Sequence, residues 1–162
     1  MKIYLVEGIS GTGKTTICEE LKRRGYRAIE ADKEIAHYAD PKTGLPTEEK
    51  IPDNWIWNED KFNNALKQER EESIFICGGA INQEDFKHHF TKVFTLHIDD
   101  DTLKYRLLNR TNNDFGKRPE ELALQLEWNR GAVKYSKERG TILVEATKPV
   151  NEVVDEIISH IK

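Results

Sequence analysis

Apolar residues recur along this chain in short runs separated by stretches of helical spacing. Ile3-Tyr4-Leu5-Val6 is an unbroken apolar run, so residues 2–6 predict a buried first strand. Ile17, Cys18 and Leu21 share one helical face and predict a helix over 14–24 that Gly25 ends. Residues 26–30 predict a short second strand, and 34–38 the start of a helix that must stop before Pro41. Residues 40–58 lack any period and hold three of the five prolines. A loop that long inside a domain is functional or mobile. Its two tryptophans, Trp55 and Trp57, predict docking rather than disorder.

The second half repeats the alternation. A helix is expected over 59–72, a third strand over 73–77, a turn at Gly78-Gly79, a helix near 83–89 and a fourth strand over 92–98. Asp101 or Thr102 is the expected cap of a helix that carries Leu103, Leu107 and Leu108 to about Arg110. The polar segment 111–119 reads as a mobile loop. A long helix over 120–139, a strand over 141–145, a turn at 147–149 and an amphipathic helix over 150–161 complete the pattern. Five strands alternating with helices predict an α/β fold of three layers, a five-stranded parallel sheet with helices on both faces. Ligands of such sheets bind at the carboxyl ends of the strands, which gathers Glu30, Asp32, Cys77, Gly78 and Gly79 on one edge.

Composition narrows the class. A chain of 162 residues is read as one domain, 1–162, able to bury a core. Its net charge of −4 argues against a nucleic-acid partner, which needs a basic surface. No apolar run approaches the ~18 residues of a membrane span, and the four apolar residues before Glu7 are too few for a signal-peptide core. The expectation is a soluble, cytoplasmic monomer or homodimer with a small-molecule partner. Cys18 and Cys77 have no ligand spacing and predict reduced thiols, with neither zinc nor a disulfide.

The candidate chemistry centres on Gly8-Ile9-Ser10-Gly11-Thr12-Gly13-Lys14-Thr15, which fits G-x-x-x-x-G-K-[ST] between the first strand and the first helix. Such a loop forms a nest of backbone N–H groups at a helix N-terminus, where the dipole favours phosphate. The nucleotide-binding set is Gly8, Ser10, Gly11, Thr12, Gly13, Lys14, Thr15 and Thr16. Lys14 is expected to reach the β- and γ-phosphates and the Thr15 hydroxyl to ligate Mg²⁺. Glu30 and Asp32, on alternate positions of a strand end, face the same side; one would hold Mg²⁺ and the other accept a proton from an attacking hydroxyl. Arg106 and Arg110, four apart on one helix, and Arg118 across the polar loop are candidates for stacking on adenine or clamping phosphates.

These residues carry a family resemblance. Glu30-Ala31-Asp32-Lys33-Glu34-Ile35 resembles the D-x-D strand end of shikimate kinases, and Gly78-Gly79 their substrate-contacting glycines. Residues 110–119 resemble their adenine-site arginine and lid, and Thr43-Gly44-Leu45-Pro46 resembles a stretch of gluconate kinases. The likeness, extending to the adenylate kinase-like group, implies a P-loop small-molecule kinase that uses ATP and Mg²⁺. It implies Asp32 as the base, Glu30 beside the metal, Arg110 on adenine and Arg118 in a lid over about 111–118. Residues 147–149, with Lys148 and Pro149, would edge the adenine pocket, and Arg130 would take the acceptor's carboxylate. The acceptor region is placed at about 33–72, with Asp32, Trp55, Trp57, Gly78, Gly79 and Arg130 touching the acceptor. Glu30 stands where the pattern has aspartate, and Cys77 where adenylate-kinase relatives often carry one. A nucleoside-monophosphate kinase and a non-catalytic nucleotide-binding switch are the rival readings.

Overall fold

The computed structural model describes residues 1–67 and 73–162. In chain order it forms β1 (Lys2–Glu7), α1 (Lys14–Arg23), β2 (Ala28–Glu30), α2 (Ala31–Glu34), β3 (Ala36–Tyr38), β4 (Trp55–Trp57) and α3 (Glu59–Lys67). The chain continues as β5 (Ser73–Cys77), a 3-10 helix (Gln83–His89), β6 (Lys92–His97), α4 (Asp100–Asn109), α5 (Pro119–Arg139), β7 (Ile142–Glu145) and α6 (Val150–Ser159). The helix expected over 59–72 is seen to Lys67; its remainder, 68–72, lies outside the described residues.

The main sheet has the order β2-β5-β1-β6-β7, with every pair parallel. Alternation along β1 explains its two faces. Tyr4 and Val6 join Ile17, Cys18 and Leu21 of α1, Leu103 and Leu107 of α4 and the apolar face of α6 in one core. Ile3 and Leu5 point the other way, into a second core with Ile29, Ile74, Trp57, Phe62 and Phe86. The two thiols belong to the first core: Cys18 and Cys77 are buried and free, and they lie beside each other. That contact, with burial, holds the Cys77 thiol well above its ordinary pKa.

Local signals end the helices where the sequence places them. After α1, Gly25 takes φ 86° and donates to the Lys22 carbonyl while Tyr26 N donates to the Leu21 carbonyl, a Schellman ending. Pro119 opens α5, and Gly140 at φ 67° closes it. The cap of α4 differs from expectation. It is Asp99, which accepts from Thr102 N at 2.8 Å, rather than Asp101 or Thr102, because the helix begins at Asp100.

The larger departure lies between β2 and α3. Residues 34–38 were expected to start a helix; instead α2 ends at Glu34 and Ala36–Tyr38 form β3, antiparallel to β4. The loop 40–58 therefore supplies a strand, and Pro46 within it bridges Ala39 just before it. Two three-residue strands do not hold by themselves. Here the hairpin is pinned by Trp57, which is 1% exposed among Phe62, Phe86 and Phe90 at ring separations of 5.5–6.2 Å. Burying one such side chain is worth about 1.5–3 kcal/mol. A polar clamp completes the attachment: the Asn82 amide accepts from Trp57 N at 2.8 Å and donates to Trp57 O at 3.0 Å. Among the described residues no helix is long and apolar enough to cross a membrane.

Asn82→Ala removes both bonds and leaves two backbone groups of β4 unpaired. Urea unfolding should show a loss of about 1–3 kcal/mol. A change below 0.5 kcal/mol would mean that the aromatic cluster alone holds the hairpin.

Candidate functional site

The phosphate loop is built by backbone conformations that its glycines permit. Gly11 (φ 89°) and Gly13 (φ 96°) are left-handed, and Gly13 caps α1. Gly8 is needed for another reason, since a Cβ there would lie 2.6 Å from Thr12 Oγ1 and 3.0 Å from Leu96 Cβ. Thr12 turns its hydroxyl back onto the Ile9 carbonyl at 2.8 Å, while Thr16 is exposed in the first turn of α1. Lys14 Nζ donates to the carbonyls of Gly8 at 2.7 Å and Ile9 at 2.9 Å. Burial lowers its pKa, and the charge that most opposes this is Asp32. The ammonium is thus held by the loop's own carbonyls, within the field of the Asp32 carboxylate.

Asp32 reaches this place by a route different from the expected strand alternation. Glu30 ends β2, and Asp32 sits in the single helical turn of α2. The turn after β5 comes against it: a Cβ at Gly78 would be 2.6 Å from Ala31 Cβ and 3.3 Å from Asp32 Oδ1. Asp32 is exposed and makes no hydrogen bond to another side chain or backbone group among the described residues. Glu30 is buried instead, with one oxygen accepting from the Thr15 hydroxyl at 3.2 Å and the other from Lys33 Nζ at 2.8 Å. Thr15 and Glu30 offer neighbouring hard oxygen donors, which suit a Mg²⁺ ion completed by phosphates and water. Among the described residues no cluster of three His, Cys, Asp or Glu side chains forms a cage for a metal.

The arginines differ in what holds them. Arg110 Nη2 donates to Ser10 Oγ at 2.9 Å and to the Phe115 carbonyl, and Nε donates to the Asn113 carbonyl at 3.0 Å. It therefore sits on the phosphate loop and the start of the following segment. Arg106 is the arginine at the edge expected for adenine, donating to Gly11 O and Ala146 O, each at 3.4 Å. Its spacing from Arg110 was the available signal. Lys148 is paired with Glu156 at 2.5 Å, and Pro149 precedes α6. Arg118 is exposed at the start of α5.

Two expected acceptor contacts are corrected. Trp57 is enclosed in the second core, so it anchors the hairpin and offers no face to a ligand. Arg130 is held by Asp100 at 2.6 Å on the α4 flank of α5, because Gln125 and Asn129 bind Ser10 and Ile98 and fix the helix rotation. It lies on the β6 side of the loop, away from Asp32 beyond β5. Trp55 is half-buried beside Tyr38, and Gly79 lies under Gln83, whose Oε1 would be 3.3 Å from a Cβ there.

A buried network unites the two sides of the site, and the pattern of residues gave no hint of it. Glu7, one residue before Gly8, is 5% exposed. Its carboxyl accepts from Thr95 Oγ1 at 2.6 Å and from the Gln83 amide, while Gln83 Oε1 accepts from Ala80 N at 3.4 Å. The same side chain thus steadies the root of the phosphate loop and, through Gln83, the Gly78–Ala80 turn. Burial pushes the Glu7 carboxyl above its ordinary pKa of 4.5, and it also pushes the neighbouring Tyr135 up to about 12. A cleft of about 300 Å³ opens beside this network, between the 3-10 helix and α5, and one of about 370 Å³ lies beside the hairpin at His37, Asn58 and Asp85. Neither is lined by Lys14 or Asp32.

With this geometry in view, comparison with known proteins gives a consistent family and fold. A family model described as AAA domain matches residues 5–127. Among solved structures, a gluconokinase from Sinorhizobium meliloti 1021 aligns at 21% identity and TM-score 0.53, covering 96% of this chain and 88% of that one. A shikimate kinase from Aquifex aeolicus vf5 aligns at 21% identity and TM-score 0.57, covering 99% and 96%. Another shikimate kinase, from Bacteroides thetaiotaomicron, aligns at 18% identity and TM-score 0.58, covering 99% and 98%. These likenesses establish the three-layer fold with its five-stranded parallel sheet. No curated protein matches the chain.

The raised pKa of Glu7 has a testable sign. Between the unfolded value and the higher folded value, the folded chain retains a proton that the unfolded chain has released, so stability is present at lower pH and is lost as pH rises through the folded pKa. Glu7→Gln removes that titration. Urea midpoints measured from pH 4.5 to 8 should show the variant gaining on the wild type as pH rises, and a constant difference would contradict the buried, proton-retaining carboxyl.

Proposed function

The chain belongs to the AAA domain family, and from that premise we propose that it is an ATP-dependent phosphotransferase acting on a hydroxyl of a small molecule. The observation that carries this reading is Asp32: an exposed carboxylate without a hydrogen-bond partner among the described residues, held against Gly78 at the end of β5 and near enough to act on Lys14. A nucleotide switch needs the loop and Glu30. It has no use for a second carboxylate poised over open space.

In the proposed reaction the triphosphate lies along residues 8–15, and the acceptor hydroxyl is oriented by Asp32. The acceptor oxygen forms a bond to the γ-phosphorus as the bond to the β–γ bridging oxygen breaks; the hydroxyl proton passes to Asp32, and ADP leaves. Lys14 leaves the carbonyls of Gly8 and Ile9 to meet the phosphates, and Arg110 stands on the loop beside it. Arg118, carried on the segment 111–118, closes over the phosphates and excludes water. When bound, Mg²⁺ neutralises phosphate charge, and Thr15 with Glu30 would hold it. Arg106, bonded to Gly11 O and Ala146 O, is the second arginine that this reading sets beside the nucleotide base, with Arg110. All of this sits within a single domain, 1–162, with its acceptor region between about 33 and 72.

Purified protein with Mg²⁺ and ATP should phosphorylate a member of a panel of polyols, sugars, sugar acids, shikimate-like acids, nucleosides and nucleoside monophosphates. Asp32→Asn should lower that transfer at least 100-fold with ATP affinity changed less than threefold, whereas Lys14→Ala should weaken ATP binding itself. Equal transfer by wild type and Asp32→Asn would remove Asp32 from the mechanism. ATP binding without transfer across the panel would favour the switch.

A further inference from the structure

Helix α5 carries an exposed indole whose place in the fold bears on the acceptor, an inference that rests on the phosphotransferase reading. Two anchors fix the rotation and height of this helix. Gln125 Oε1 accepts from Ser10 N of the phosphate loop at 3.1 Å, and the Asn129 amide donates at 2.6 Å to the carbonyl of Ile98, the first residue after β6. The helix then runs down to Ser136, which donates to the Thr141 carbonyl just before β7. Trp128, next to Asn129, therefore stands at the height of the carboxyl ends of the strands, where ligands of such sheets bind. Helical side chains lean toward the N-terminus of their helix, which carries the indole further above that edge.

The flank on which Trp128 lies is equally defined. Tyr135 and Arg139 follow it by about two and about three helical turns, so the three share one side of α5. Tyr135 Oη accepts from the Gln83 amide at 3.5 Å, and Arg139 pairs with Glu84. That side of the helix thus faces the 3-10 helix and the turn that leads into it. Gln83 in turn accepts from Ala80 N, and at the other end of the turn a Cβ on Gly78 would lie 3.3 Å from Asp32 Oδ1. Arg130 is on the opposite flank, with Asp100. The phosphate loop after β1, the turn after β5 and the Trp128 flank of α5 are therefore three sides of one space.

The flank is apolar and partly bare. Leu124, one turn before Trp128, and Tyr135 are half-buried, whereas Trp128 is 46% exposed. Its indole makes no hydrogen bond and no ring or cation contact among the described residues. At Gly131, between Trp128 and Tyr135, a Cβ would meet nothing within 4 Å. The place beside the indole is thus clear, and a ring laid there would remove apolar area of both partners from water.

We propose that Trp128 is the wall of the acceptor site that α5 supplies, and that the acceptor lays a ring against this indole while its hydroxyl meets Asp32. Cyclic sugars, cyclic polyols, shikimate-like acids and nucleosides have such a ring; open-chain polyols and open-chain sugar acids do not. Trp128 is thereby a specificity-determining residue outside the stretch 33–72, sorting acceptors by shape.

Steady-state kinetics with the panel member that is phosphorylated best provide the test. That acceptor should carry a ring. Trp128→Ala should raise its KM at least fivefold, with kcat and the KM for ATP changed less than twofold, a split that a general loss of folding would not give. Trp128→Phe, which keeps a flat ring, should recover most of the loss, and Trp128→Leu, apolar but not flat, should not. An open-chain best acceptor, an acceptor KM indifferent to Trp128→Ala, or equal recovery by Trp128→Leu and Trp128→Phe would overturn the inference. If no member is phosphorylated the phosphotransferase reading fails, and the inference is then read from binding. With a non-hydrolysable ATP analogue present, a ring-bearing member should shield wild-type tryptophan emission from acrylamide by an amount that is missing in Trp128→Phe. Absence of that shielding would overturn it. So would full shielding by the ATP analogue alone, which would make Trp128 a seat for the segment 111–118.

Discussion

The approach of α2 to the turn after β5 sets the geometry of everything at the carboxyl edge of the sheet. Gly78 has no side chain, and the space a Cβ would need is filled by Ala31 Cβ at 2.6 Å. Because the two segments touch, Asp32 is held against the end of β5, with its Oδ1 close to Gly78. The strand order β2-β5-β1 supplies the rest, since β5 is the single strand between the carboxylate and the loop. A larger residue at 78 would displace α2, and with it both Asp32 and the Glu30 that accepts from Thr15.

Electrostatics at this edge is arranged so that each charge has a distinct neighbour. Glu30 is buried and satisfied by Thr15 and Lys33; Glu7 is buried and satisfied by Thr95 and Gln83; Asp32 is exposed and opposite Lys14. Buried carboxyls of this kind are costly unless hydrogen-bonded. Their partners come from α1, α2, β6 and the 3-10 helix, so satisfying the charges also fixes the positions of those elements against β1 and β2. The phosphate loop and the turn at Gly78–Ala80 are consequently supported from one buried group.

Much of this was legible in the amino-acid pattern, and what was not has physical reasons. The glycine loop, the parallel strands and the ends of α1 and α5 rest on local chemistry: a glycine motif, apolar runs, Gly25, Pro119 and Gly140. The hairpin was not legible, because Ala36–Tyr38 and Trp55–Trp57 find each other across a proline-rich loop and show too few residues for a period. The cap of α4 was ambiguous because Asp99, Asp100, Asp101 and Thr102 are all capping types in a row. Arg130 was misplaced because the rotation of α5 is decided by Gln125 and Asn129, whose backbone partners are distant in sequence. Trp57 looked like a ligand contact for a similar reason: the rings that enclose it arrive from residues 62, 86 and 90.

The paired sulfurs of Cys18 and Cys77 carry a consequence of their own. They lie between α1 and β5, inside the layer on which the phosphate loop rests, where a water-borne alkylating reagent has no path to them. Modification of either thiol requires α1 to lift from the sheet. The chain thereby contains a native clock, in which the rate of thiol capture measures how often the floor beneath the nucleotide cradle breathes open.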